Sequence, residues 1–146
     1  MNVVHKIEKW GDSHHPMVLD LIRIGLGVFL LLKGLAFMEN SVYLKDMIEN
    51  QDVVAVSSGL LMAVVYYVTF AHLVGGALIA MGILTRFSCI IQIPILVAAI
   101  FLTDFFQSPI NTLVWPSVTG LALLILFTII GSGPLSLDRY LEKWED

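Results

Sequence analysis

Cysteine occurs once in this 146-residue chain, at Cys89, and charged side chains are few for its length. A lone cysteine excludes an internal disulfide, and with it any thiol–disulfide exchange within the chain, which needs a pair. Asp, Glu, Lys and Arg together make up 14% of the residues, against roughly a quarter in soluble domains. The net charge of −4 rests on so few groups that it makes no strong field, and no basic patch suggests a nucleic-acid partner. Metal-ligand spacing is missing, as are a phosphate-cradling glycine loop and a nucleophile with a base at a recognisable interval. Nothing in the sequence encodes a haem, flavin or iron–sulfur site. The N-terminus does not read as a cleaved signal, because residues 1–16 contain Glu8 and Asp12 and no small-residue cleavage pattern follows the first apolar block.

What remains is apolar. Hydrophobic residues reach 58% and gather into long blocks, more apolar surface than a globular chain of this size can hide from water. The fold class expected is all-α: one integral membrane domain over residues 1–146, built as a four-helix bundle. The first span is read over 17–38 (MVLDLIRIGLGVFLLLKGLAFM), long enough for the ~20 residues a bilayer needs. The next apolar region, 53–84, would be about 48 Å long as a single helix, which overshoots a ~30 Å core. It is therefore divided into a surface segment over 53–63 and a span over 64–84. Further spans are read over 87–103 and 113–132, with barely a turn around Arg86 joining the second and third.

Lysines and arginines set the expected orientation. Lys6, Lys9, Arg86, Arg139 and Lys143 fall on one side and Lys45 alone on the other, which places both termini in the cytoplasm by the positive-inside rule. The membrane expected is the cytoplasmic membrane of a prokaryote. Val3, Ile7 and Trp10 share one helical face over 1–16, and Leu137, Tyr140, Leu141 and Trp144 share another over 134–146. Both tails read as amphipathic interfacial helices resting on membrane lipids.

Polar residues inside a span are expensive, so each is a candidate for function. At ~1.5 Å per residue, Asp20, Arg23 and Gln92 lie within about 10 Å of the inner edge, and His72, Thr119 and Lys33 about 18–24 Å from it. In the inner layer Asp20 and Arg23 can pair, with Arg23 snorkelling to the headgroups. Ser88, Gln92, Ala99 and Thr103 trace a polar, small-residue stripe on the third span, where Pro94 frees the carbonyl of Ile90. Lys33, Thr119 and Trp115 in the outer layer, with Arg23 and Gln92 in the inner one, are candidates for ligand binding, and His72 is the candidate for proton exchange. Gly75, Gly76 and Ala80 on the second span, with Gly27 and Gly34 on the first, read as helix-packing positions where small residues admit a close neighbour. His72 then has two readings, an interhelical hydrogen bond or a proton-exchanging group.

RIGLGVFLLLKGL (23–35), GGALIAMGILTR (75–86) and GSGPLSLDRYL (131–141) together resemble the DoxX family of small four-helix membrane proteins. The family includes the membrane subunit of a thiosulfate:quinone oxidoreductase and proteins tied to redox homeostasis. Where that family often carries an acidic residue four positions before the second-helix glycine, this chain has His72. Its basic residue, Lys33, precedes Gly34 instead of following it. The resemblance implies a quinone-linked redox subunit, an oxidoreductase only in company: it would bind a quinone or small anion near Lys33, His72 and Thr119 and pass electrons to a separate redox subunit. A non-enzymatic scaffold or assembly helper, and a small homo-oligomeric transporter, are the alternatives.

Overall fold

In an apolar surrounding a backbone can satisfy its N–H and C=O groups only within its own helix, so long runs of Leu, Ile, Val and Phe emerge as helices. The computed structural model describes residues 17–50, 57–101 and 114–145, with Val3, Lys6, Lys9 and Trp10, apart from a few side chains in the helices. Among these residues every regular element is helical: α1 (Met17–Glu39), α2 (Ser41–Glu49), α3 (Ser58–Met81), α4 (Thr85–Ala99), α5 (Val114–Ile130) and α6 (Leu137–Glu145). The helices α1 and α3 are long and apolar enough to cross a membrane, and α4 and α5 are shorter apolar helices.

The most extensive packing is α1 along α3; α4 then joins α3 to α5, and α1 meets α5 only lightly. Leu26, Leu30, Ile79, Cys89, Leu96, Leu124 and Phe127 fill the common core. The exterior is as apolar as the core, with Leu21, Tyr66, Phe70, Phe87 and Ile129 all exposed. Asp20, Arg23, His72, Thr85, Ser88 and Gln92 are buried instead. Apolar groups outside and polar groups inside is the arrangement of a chain dissolved in lipid.

Two boundaries differ from the sequence expectation. The second span begins at Ser58, not Val64, because Ser57 caps it: its backbone is extended and its Oγ accepts from the Leu60 N–H at 3.4 Å. Residues 58–63 thus belong to α3, and 53–56 lie outside the described residues. The same helix stops at Met81, where Gly82 adopts φ 74° and its N–H returns to Ile79 and Leu78. At ~1.5 Å per residue the helix is about 36 Å long, which a modest tilt absorbs. The turn that follows is centred on Gly82–Leu84, not on Arg86, which is already the second residue of α4. Pro94 sits within α4 without ending it.

The helix expected over 1–16 lies outside the described residues except at the four positions named, and residues 102–113 lie outside them altogether. On α6, Leu137, Tyr140, Leu141 and Trp144 are all exposed, 41–75% of each surface being open in the isolated chain.

Candidate functional site

The α1–α3 seam comes first, because it positions everything else. A Cβ on Gly27 would fall 2.6 Å from the Gly76 carbonyl oxygen and nearly on the Ala80 N–H. One on Gly76 would lie 2.8 Å from the Gly27 oxygen and from the Leu31 nitrogen. Backbone thus touches backbone here. Further along, Gly34 faces Leu73 with no room for a methyl group.

Where that seam ends beside Gly82, Arg23 and Asp20 are fully buried. Arg23 Nη1 donates to the carbonyls of Ile79 at 2.8 Å and Ala80 at 3.4 Å, two of the last carbonyls of α3. Its Nη2 donates to Leu135 O at 3.2 Å and Asp20 Oδ1 at 3.4 Å, and Asp20 Oδ2 accepts from the Leu135 N–H at 3.1 Å. A cation at a helix C-terminus is also favoured by the macrodipole. The expectation that Arg23 snorkels to headgroups is therefore corrected: its two Nη groups are spent inside the protein. The same device recurs on α5, where Arg86 Nη2 donates to the carbonyls of Ile129 at 3.3 Å and Ile130 at 3.4 Å. Asp138, at the start of α6, completes the end by accepting from the Leu84 N–H at 3.2 Å. That bond holds Leu84 at φ 47°, a left-handed conformation disfavoured for leucine.

His72 lies further out on α3 and is 2% exposed. Its Nδ1 bonds the Val68 carbonyl at 3.0 Å. A carbonyl only accepts, so Nδ1 carries the proton and Nε2 is left with a lone pair. No hydrogen bond to Nε2 occurs among the described residues. The ring meets Phe37 edge-on, with centroids 5.3 Å apart. Phe37 and Val68, with Val64, Ile90, Pro94 and Ala98, line an open cavity of about 690 Å³ between α3 and α4, almost wholly apolar.

Lys33 is half-buried on α1, one turn from Phe37 on one side and from Phe29 on the other, with Nζ 5.8 Å from the Phe29 ring. Thr119 is placed elsewhere. It is exposed on α5 and lines a second apolar cavity of about 450 Å³ with Phe29, Gly25, Pro116 and Gly120. The structure brings Lys33 to the neighbourhood of His72 by way of Phe37, but it does not bury Thr119 with them. Trp115 belongs to α5, and its side chain lies outside the described residues.

On α4, Thr85, Ser88 and Gln92 point inward with Cys89. Gln92 Nε2 donates to the Ala71 carbonyl on α3, and a Cβ on Gly75 would collide with that amide. Gln92 Oε1, Ser88 Oγ, Thr85 Oγ1 and Arg23 Nε are buried with no hydrogen-bond partner among the described residues. Each would cost about 1–3 kcal/mol if left dry. Sequence reasoning missed Phe37 and Thr85 as members of these sites and Asp138 as the clasp. The signal for Asp138 was its acidic charge in the first turn of a helix.

An all-helical chain with lipid-facing apolar surface, glycine-packed helices and buried polar groups is an integral membrane protein. The chain belongs to the DoxX family, whose model matches residues 18–104, more than half of the sequence and all of the polar positions from Asp20 to Gln92. No curated protein matches it, and neither does any solved structure.

Proposed function

We propose that the protein is a membrane subunit of a quinone-linked redox system, binding the carrier between α3 and α4 with His72 exchanging its proton. The observation that carries this reading is the pairing of His72 with the apolar cavity across the Phe37 ring. The cavity suits an isoprenoid or aromatic ring, and a small shift of Phe37 exposes the Nε2 lone pair to it. Neutral His72 accepts a hydrogen bond from a quinol hydroxyl but cannot donate one to a quinone carbonyl until it takes up a proton. In the quinol-oxidising direction His72 takes one of the two protons and the other passes to solvent, while the two electrons leave to a flavin, haem or iron–sulfur centre on a separate subunit. Lys33, one turn from Phe37, favours negative charge developing on the ring oxygen. In this proposal α4 and α5 also cross, completing a four-helix bundle. Both termini lie in the cytoplasm, and α6 rests its Tyr140 and Trp144 face on the membrane surface.

The scaffold reading is favoured by one observation: the Asp20–Arg23 and Gln92–Ala71 bonds spend polar groups on holding helices together. Equilibrium binding of a short-chain quinol and its quinone to lipid-embedded protein separates the two. One hydrogen bond of about 1 kcal/mol predicts roughly fivefold tighter binding of the quinol, and His72→Ala should abolish that preference. No binding of either form, with His72→Ala merely less stable, would leave the scaffold as the better account.

A further inference from the structure

Four unpartnered polar atoms line the place where α1, α3 and α4 meet. Arg23, Thr85, Ser88 and Gln92 are each at most 3% exposed, and each keeps one hydrogen-bonding atom without a partner among the described residues. They follow one line along the bundle. The Arg23 guanidinium sits where a Cβ on Gly82 would be, so it lies beside the turn leading into Thr85. Thr85, Ser88 and Gln92 then follow at i, i+3 and i+7, one face of α4, and Gln92 ends the line two turns out at Gly75 and Ala71. Buried polar groups in native structures are satisfied by protein or by ordered water, and two hydroxyls, an amide oxygen and a guanidinium N–H in one seam leave only water.

We propose that this seam is a hydration site: a short file of ordered waters running from Arg23 Nε, past Thr85 Oγ1 and Ser88 Oγ, to Gln92 Oε1. The chemistry of the two ends gives the file a direction. Arg23 Nε only donates, and the first water accepts from it. The Gln92 amide is oriented by Ala71, whose carbonyl takes the Nε2 hydrogen, so the oxygen is the end facing the file and only accepts. The last water therefore donates to Gln92. The two hydroxyls between, able to donate and accept, relay that orientation. An anion is excluded at the Gln92 end, where a carbonyl oxygen would oppose it, and a cation is excluded at the Arg23 end. The ligand that fits both is neutral, small, and both donor and acceptor. The file hydrates the buried guanidinium from within the protein, while Asp20 balances its charge.

Cys89, adjacent to Ser88 and fully buried in the same face, is a built-in reporter. X-ray radiolysis makes hydroxyl radicals from bound water, which oxidise sulfur atoms next to it. With the full chain in lipid discs, Cys89 should be oxidised in proportion to dose despite its burial, the exposed Met17 and Met38 serving as controls. The combined Ser88→Ala and Gln92→Leu variant should lose Cys89 labelling and keep methionine labelling. Should that variant fail to fold, the wild type decides alone. Cys89 unmodified at doses that consume Met17 and Met38 means a dry seam and overturns the proposal, whatever the outcome of the quinol experiment.

Discussion

Gly25 and Gly27 are two residues apart on α1, and their replacement by alanine should have opposite effects. At Gly25 an added Cβ meets nothing within 4 Å, so the methyl group costs no packing. The gain is the usual one for removing a glycine from a helix, about 0.5–1 kcal/mol. At Gly27 the same methyl falls 2.6 Å from the Gly76 carbonyl oxygen, a backbone atom that no rotamer change can move. The two helices must separate locally, and overpacking of this kind costs about 1–3 kcal/mol, more than the propensity gain. At roughly 2–8 °C per kcal/mol, the variants should melt on opposite sides of the wild type. Thermal unfolding in one detergent, followed by α-helical circular dichroism, reads the difference directly. Gly27→Ala melting with Gly25→Ala, both at or above the wild type, would show that α1 and α3 do not touch backbone to backbone and would remove the frame on which His72 is placed.

Asp20→Asn should be destabilising by about 3–5 kcal/mol, because it leaves the buried Arg23 charge uncompensated. The combined Asp20→Leu and Arg23→Met variant should lose less, a contrast that unfolding by increasing SDS fraction would measure; equal losses would argue against a charge-balancing role for Asp20. At the other end, Ser58 donates to Glu49 and Lys45 pairs with Asp46 and Glu49, tying α2 to the start of α3. The Ser58 hydrogen bond, then Lys45, holds the Glu49 carboxyl below its ordinary value, so its contribution is present above that value and is lost as pH falls through the folded one. Lys45 is raised by Asp46 and then Glu49, so its share is present below the ordinary lysine value and is lost as pH rises through the folded one. Spin labels at Tyr43→Cys and Tyr66→Cys should keep a fixed separation near neutrality and drift apart only in acid below the ordinary carboxylate range, where Glu49 is protonated in the folded chain. A separation unchanged into strong acid would dismiss the Glu49 clasp.

The helical class and the membrane character follow from quantities a sequence states directly, the length of the apolar blocks and the scarcity of charge. The start of α3 was harder to read. Val53–Leu84 is apolar on both sides of Ser57 and Ser58, and only the backbone of Ser57 shows which residue caps the helix. Nor does hydropathy distinguish Val64 from Leu60 as a first turn. Thr119 illustrates a different limit. Depth from the inner edge can be counted along a span, but facing cannot, because the rotation of α5 is set by the helices it packs against. Thr119 lies at a depth similar to that of His72 but on a helix surface turned toward Phe29 and the α1–α5 groove. Asp138 shows in the sequence only as an acidic residue in the first turn of a helix; its partner, the Leu84 N–H, is a backbone atom 54 residues away that no side-chain pattern announces.

The rule that a charge within a span marks function needs a second test, namely where its donors go. Arg23 and Arg86 each direct guanidinium donors to the last carbonyls of a helix, those of α3 and of α5, and each lies against a left-handed glycine, Gly82 or Gly131. A helix ending beside apolar groups has several carbonyls with no water to satisfy them, and a planar cation with five donors can serve two at once. Glycine makes room for that cation: a Cβ at Gly82 would strike Arg23 Nη1, and one at Gly131 would lie 2.8 Å from Arg86 Nε. The short stretches GGALIAMGILTR and GSGPLSLDRYL thus hold the two glycine-capped helix ends, and the first also holds Arg86. Their requirement for glycine and arginine follows from closing those ends, whatever chemistry the protein performs. His72 is different in kind. Its one bond is to its own helix, the bundle holds together at Gly27, Arg23 and Gln92 without it, and its ring meets Phe37, which lines the larger of the two cavities. By that test the arginines are architecture, and the histidine is where chemistry should be sought.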